Sequence, residues 1–335
     1  MLRKSCQRPT MNLAFVLVLV IGFAELCNAA SGRMVINMNP DWKFTKGDST
    51  GAQATTYNDA AWKSVGLPHS ASIPYWMERD IYTGWAWYRK HFDAGSQWSG
   101  QRVFVEFEAV FQHCWVYVNG SLVGEHKGGY TGFSYDITQK INFGGENVIA
   151  VRLNNLWDAR IAPRAGDHNF HAGIYRDVRL VITNPLHVAR YGTFIMTPDA
   201  SDSKTRINIK TEIRNDAAVD KSCVLKSIIL DSLNNVITSV SGTYTVPAGG
   251  TYIFSQDTAI SNPKLWSPDN PYLYSLRTEV YDDAALVDTS MTEFGVRWFT
   301  VSNTNGFSLN GKHLYLRGFD VHQDRAGWAD AVPNS

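Results

Sequence analysis

The chain has 335 residues, carries 31 Lys+Arg against 31 Asp+Glu, and is 44% hydrophobic and 19% charged. That length suits two domains with sizeable cores. The composition excludes a disordered chain, and the balanced charge gives no pull towards nucleic acid or acidic lipid. The 11 Trp and 15 Tyr favour strands. They also suit surfaces that stack on sugar rings, although most such rings are expected inside sandwich cores.

Residues 1–30 read as a secretory signal. Arg3, Lys4 and Arg8 form a basic start, Leu13 to Phe23 is apolar, and Cys27-Asn28-Ala29-Ala30 ends in small residues. The apolar run is short for a bilayer span. The mature chain is therefore expected to be secreted or periplasmic, with no membrane attachment after cleavage. The signal removes three basic residues and one acid, leaving 28 against 30 and a net charge near −2. It also removes Cys6 and Cys27. Cys114 and Cys223 remain, 109 residues apart, and are expected to be free buried thiols. No metal-ligand spacing and no cofactor motif is present.

From 31 to 184 the chain reads as strand, turn, strand with no long helical period. Arg102-Val103-Phe104-Val105-Glu106-Phe107-Glu108 nearly alternates. Cys114 to Val118 is a strand closed by Asn119-Gly120, a dipeptide that favours a tight hairpin turn. Asn147 to Leu153 and Asp177 to Ile182 are further strands. Short strands with Gly-rich turns indicate an antiparallel sandwich or jelly roll. One loop, Pro163 to His171, is polar and has no strand period. It is an ordinary solvated loop, or else Asp167, His168 and Asn169 offer a carboxylate, an imidazole and a carboxamide to sugar hydroxyls. Asp80 and Tyr82 sit in a second loop of this kind.

Asn184-Pro185 marks a break. From 185 to 298, strands such as Thr205 to Ile213, Cys223 to Leu230 and Tyr272 to Tyr281 alternate with polar turns. Their number and spacing suggest an immunoglobulin-like sandwich without a bridging disulfide. No chemistry is visible there, and Trp266, between two prolines, is expected to be a packing anchor between domains.

The last part, 299 to 335, contains Leu314-Tyr315-Leu316-Arg317-Gly318-Phe319-Asp320-Val321-His322. Three runs occur in order: Asn262-Pro263-Lys264-Leu265-Trp266-Ser267-Pro268 with Asp269-Asn270-Pro271-Tyr272, then Phe294-Gly295-Val296-Arg297, then Gly306 to His322. Together they resemble the junction of glycoside hydrolase family 2, which includes β-galactosidases, β-glucuronidases and β-mannosidases. Further matches are Leu67-Pro68-His69, Trp87-Tyr88-Arg89, Val118-Asn119-Gly120, Gly128-Gly129-Tyr130 and Gly173-Ile174-Tyr175-Arg176. The resemblance covers nearly all of the mature chain.

The resemblance implies an all-β chain with a jelly-roll (galactose-binding-like) sugar-binding domain over 31–184 and an immunoglobulin-like spacer over 185–298. The first strand of a truncated (β/α)8 barrel is then implied within 299–335. In the family, the loop matching 163–171 contributes to the mouth of the active site. The motif ending in His322 lines the sugar pocket, with Asp320 standing where the family has Asn. Asp320 accepts hydrogen bonds but offers no amide donor. Arg317 is expected to hold the strand end through local hydrogen bonds, and Asp324 has no assigned role.

The family hydrolyses terminal β-linked sugars with retention, and galactose is the first expectation here. Its two catalytic glutamates lie on later barrel strands. A barrel takes roughly 250 residues, and retention needs two carboxylates about 5 Å apart, so no catalytic residue is assigned in this chain. The partners implied are a β-linked oligosaccharide or glycoside and, as often in the family, further copies of the chain. The alternatives are a stand-alone carbohydrate-binding protein and an adhesive or structural one. The tail distinguishes them: residues 323–335 are expected to pack poorly, whereas a tail docked into the jelly roll would favour the stand-alone protein.

Overall fold

In a computed structural model, residues 32–74, 81–162, 170–321 and 325–333 are described. Residues 1–31 lie outside the described residues, and with them the expected secretory signal over 1–30, as do Asp80, Asp167, His168, Asn169, His322 and Asp324.

The described chain is all β. The first sandwich contains β1 (Met34–Asn37), β2 (Trp42–Lys46), β3 (Lys63–Val65), β4 (His69–Ser70), β5 (Trp85–Asp93) and β6 (Arg102–Phe107). It continues with β7 (His113–Val118), β8 (Ser121–Lys127), β9 (Phe133–Asp136), β10 (Glu146–Asn154), β11 (Gly173–Ile174) and β12 (Val178–Thr183). One sheet runs β1-β12-β6-β9 and the other β3-β2-β5-β10-β7-β8, with β4 and β11 paired apart from them.

Alternation builds the core. Along β6, Val103, Val105 and Phe107 are fully buried while Arg102, Phe104 and Glu106 are only half-buried. Trp42, Tyr88, Ile149, Leu153, Leu180 and Ile182 join them in one cluster. Each such apolar side chain contributes about 1.5–3 kcal/mol by leaving water. Asn119 and Gly120 have φ of 48° and 82°, the left-handed conformations that a two-residue hairpin turn requires. They join β7 to β8.

Arg89 is a buried exception on β5. Its Nε donates to Asp59 Oδ2 at 2.7 Å, and its Nη1 donates to the carbonyls of Ala52 and, at 3.0 Å, Ala54. A buried guanidinium needs such partners, and these fasten the 47–62 segment onto the outer face of the six-stranded sheet. His91 reaches the same carboxylate at 2.9 Å.

The second, immunoglobulin-like sandwich contains β13 (Leu186–Met196), β14 (Lys204–Asn215), β15 (Lys221–Leu230), β16 (Val236–Val246), β17 (Thr251–Ser261), β18 (Tyr274–Asp282) and β19 (Ala285–Phe294). Its sheets run β13-β14-β17 and β16-β15-β18-β19. Cys114 and Cys223 are free and buried, as expected. Trp266, expected to be a packing anchor between domains, is half-buried. Its amide donates to Val296 O at 2.9 Å, its carbonyl accepts from Asn310 Nδ2 at 2.9 Å, and Arg297 lies 4.7 Å above its ring.

Over 299–335 the start of a barrel is not confirmed, and one expectation is corrected. A small antiparallel sheet forms from β20 (Phe299–Ser302), β21 (Gly306–Leu309) and β22 (Lys312–His313). The expected barrel strand over Leu314–Phe319 does not form, and Tyr315, Leu316, Phe319 and Val321 are all exposed. A parallel strand exists only beside neighbours that take up its hydrogen bonds and cover its faces, and no described strand lies alongside. Arg317 sits 5.4 Å over the ring of Tyr315 instead of bracing a strand end.

The correction concerns the tail, which does not pack poorly where it is described. A turn closes with Trp328 N donating to Arg325 O at 3.0 Å. Ala329 and Ala331 are fully buried, and Ala331 packs with Ala109, Phe111 and Tyr175 of the first sandwich. Alanine is small enough to enter that pad without displacing its rings.

Candidate functional site: a cleft at one end of the first sandwich

Six separate stretches of chain meet at one end of the first sandwich. β4 and β11 pair through His69↔Ile174 and Ser70↔Gly173. Gly173 has φ of +151°, and a Cβ there would stand 2.3 Å from His69 O, so this close crossing admits only glycine. Phe111 and Gly173 exchange backbone hydrogen bonds of 2.9 and 3.3 Å. Phe111 stacks on Phe170 at 5.9 Å and meets Tyr130 edge-on at 5.7 Å. Tyr175 Oη donates to Gly129 O at 2.5 Å.

Asn155 ties these loops together. Its Oδ1 accepts from Gly84 N at 2.9 Å, and its Nδ2 donates to Tyr82 O at 2.8 Å and Phe170 O at 2.9 Å. Gln112 performs the same task one loop away. It donates from Nε2 to Leu156 O at 2.7 Å and accepts from Gly128 N at 2.9 Å.

Between these anchored loops lies a cleft of about 460 Å³, lined by Lys127, Gly128, Gly129, Tyr130 and Thr131 on one side and by Asp158, Arg160, Ile161 and Ala162 on the other. Asp158 and Arg160 form an ion pair of 2.8 Å, and Lys127 lies 3.2 Å from Glu125. Hydrogen bonds from Arg160 hold the Asp158 carboxyl well below the usual range, so it stays a carboxylate and cannot serve as an acid near neutral pH. Burial first, and the charge of Asp330 second, raise the phenols of Tyr130 and Tyr175. Both therefore remain neutral hydroxyls. The arrangement offers donors, acceptors and ring faces to a polyhydroxylated ligand, and no reacting group.

His69 lies below this surface. It is buried, with Nδ1 within 2.7 Å of the Tyr88 hydroxyl. Burial, with help from the charges of Lys63 and Lys46, pushes its pKa down to about 3.

Of the residues expected at the site, Asp167, His168 and Asn169 fall outside the described residues, but both ends of their loop are fixed here. Ala162 lines the cleft and Phe170 stacks on Phe111. His171, next along the chain, is buried. His322 also falls outside, while Asp320 is exposed on the segment that forms no strand. Of the two alternatives for Tyr82, an ordinary loop residue or one facing a pocket, its contacts fit the first. Its hydroxyl donates to Trp85 O and accepts from Gly47 N at 3.0 Å, and Lys46 covers its ring at 4.9 Å. Sequence reasoning missed Lys127, Asp158 and Arg160. In the sequence, Gly128-Gly129-Tyr130 stands only as part of the family pattern. Among the described residues no group of three or more His, Cys, Asp or Glu comes together as a metal ion would need.

Two antiparallel sandwiches stand in tandem, and the first carries at one end a cleft with Tyr130 and the ion pair Asp158–Arg160 on its walls. Residues 48–185 match the family model for the sugar binding domain of glycosyl hydrolases family 2, and residues 187–297 match the glycosyl hydrolases family 2 model. The chain belongs to glycoside hydrolase family 2.

Its relatives include a β-glucuronidase of Formosa agariphila, 32% identical over 90% of this chain and 33% of the relative. A β-galactosidase of Thermoanaerobacter pseudethanolicus is 33% identical over 90% of this chain and 40% of the relative. Among solved structures, a Bacteroides uniformis β-glucuronidase superposes with a TM-score of 0.85 at 34% identity, covering 90% of this chain and 37% of that one. The chain thus spans about a third of the length of the curated relatives it matches.

Proposed function

We propose that this chain is the N-terminal, substrate-recognising portion of a secreted or periplasmic family 2 glycosidase that removes a terminal β-linked sugar with retention. The observation that carries this reading is coverage. The two family models tile residues 48–297, while the chain spans only 33% and 36% of the first two relatives. Retention needs two carboxylates about 5 Å apart, which the family carries on barrel strands later than any part of this chain. The portion described here binds and orients, and by itself does not hydrolyse.

The first-sandwich strand order supports the jelly-roll topology expected from the resemblance. The expected sugar is galactose. The names of relatives add glucuronic acid, so an aryl β-galactoside and an aryl β-glucuronide are the substrates to assay. With either, the 335-residue chain shows no turnover above buffer. Hydrolysis by the chain alone would overturn the reading.

One observation favours the alternative of a stand-alone carbohydrate-binding protein, namely the docking of Ala331 on Phe111 and Tyr175. That reading shares the cleft and differs in predicting that nothing else is needed for function.

A further inference from the structure

We infer that β16, an edge strand of the second sandwich, is a dimerisation surface. It pairs antiparallel with the same strand of a second copy of this chain, about a twofold axis at Gly242. This goes beyond the function proposed above and does not depend on it.

An edge strand offers a row of backbone N–H and C=O groups to any strand that meets it. Folded chains guard such rows with charge, proline, bulges or brevity. Among the described strands, the edges are guarded with one exception. β8 carries Glu125 and Lys127, and β13 carries Arg190 and a register break between Val188 and Thr193. β17 carries Asp257, and β19 carries Asp288 and Glu293. The other edges belong to strands of four residues or fewer.

β16 runs for 11 residues, Val236 to Val246, without a charge or a proline. No charged residue occurs anywhere from Ser232 to Gln256, in a chain that is 19% charged. The strand's one irregularity is a bulge at Ile237. From Thr238 to Val246 it pairs without a break against Ile229 to Lys221 of β15. It ends its sheet, and among the described residues no hydrogen bond joins the backbone of 238–245 to any strand but β15. Ser239, Ser241, Thr243 and Thr245 are exposed on its outer face. On the other face Val240 is half-buried and Tyr244 is 51% exposed.

The occupant that fits is a second copy. An uncharged strand meets its own copy without the like-charge repulsion that a charged edge would impose. A twofold contact uses one patch twice and closes on itself. Antiparallel pairing keeps every residue on its own face. With the axis at Gly242, Val240 stands opposite the partner's Tyr244, Ser241 opposite the partner's Thr243, and Ser239 opposite the partner's Thr245. Aromatic against β-branched, and hydroxyl against hydroxyl, are favourable cross-strand pairs. Tyr244 is already held for this contact, stacked on Tyr252 at 4.4 Å.

Size sets the strength. The unbroken part of the strand is about 30 Å long, and the side of the sandwich is about 10 Å across. About 300 Å² on each copy falls short of the roughly 800 Å² per partner of a standard interface. A reversible dimer with a Kd of tens of micromolar is therefore expected.

The test has two parts. In sedimentation equilibrium over a concentration series, the 335-residue chain is expected to dimerise. The double variant Ser241→Glu with Thr243→Glu should associate at least about tenfold more weakly. Both side chains are exposed, so its melting temperature should stay that of the wild type. In the second part, Ser239→Cys and Thr245→Cys are made separately and mixed under mild oxidation. Facing residues lie about 5 Å apart, within reach of a disulfide, so the mixture should form a linked dimer. Neither variant alone should link, because each new thiol lies about 20 Å from its own counterpart. Cys114 and Cys223 are buried and do not compete. A chain that stays monomeric, undiminished association of the glutamate variant, or equal linkage in the mixture and the single variants would overturn the inference. Slow amide exchange along 238–245 in a monomer would overturn it too, because a segment of the same chain would then cover this edge.

Discussion

Asp288 Oδ2 lies 3.0 Å from Arg33 Nη2, joining residues 255 positions apart across the two sandwiches. The Asp288 side chain is fully buried and that of Arg33 is 19% exposed. The same oxygen accepts from Val188 N at 2.8 Å, and Arg33 also donates to Val188 O at 2.5 Å. One carboxylate thus holds the entry strand of the first sandwich to β13 of the second. Removing it leaves a mostly buried guanidinium and an unpaired amide. Asp288→Ala is expected to cost about 3 kcal/mol or more, measured as a lower urea midpoint. A loss within about 0.5 kcal/mol would show that the pair contributes little to stability.

His69 makes stability fall in acid. Its pKa in the folded chain is about 3, below the roughly 6.5 of an unfolded histidine. Between those values the unfolded chain binds more protons, so stability is complete above pH of about 6.5 and is lost as pH falls towards 3. His187 is lowered by burial too and acts in the same direction. The His69 share is therefore read by difference, with His69→Gln expected to flatten the slope of stability against pH across that window. An unchanged slope would contradict the assignment.

Gly173→Ala strikes the crossing of β4 and β11. The added Cβ would stand 2.3 Å from a backbone oxygen that has little room to move. A destabilisation greater than about 2 kcal/mol is expected, measured as a lower urea midpoint. A variant of wild-type stability would mean that the two strands can separate at no cost.

The two thiols are expected to be inert in the native state. Burial pushes Cys223 up to about 12 and raises Cys114 strongly as well, and the thiolate is the reactive form. Neither should label with a thiol reagent until denaturant is added. Native labelling of either would indicate local opening of its sheet.

Much of this fold was legible because alternation along a strand reports directly which face is buried. Arg102–Phe107 alternates as its sequence does, and Asn119-Gly120 turns where its backbone preference requires. The break at Asn184-Pro185 falls between β12 and β13. The docked tail was not legible, since two alanines carry no signal of what they will touch. Neither were Gln112 and Asn155, whose partners are backbone groups of distant loops. A site assembled from Lys127, Tyr130, Asp158 and Arg160 depends on which loops converge, and local periodicity does not encode convergence.

The most direct test of the central claim is to read the nucleotide sequence downstream of codon 335 in all three frames. The account predicts an open frame continuing into helix–strand repeats, with two glutamates at later strand ends. The longer protein should then hydrolyse an aryl β-glycoside that the 335-residue chain leaves intact. A genuine stop followed by unrelated sequence would contradict it, and the chain would then be a carbohydrate-binding protein in its own right.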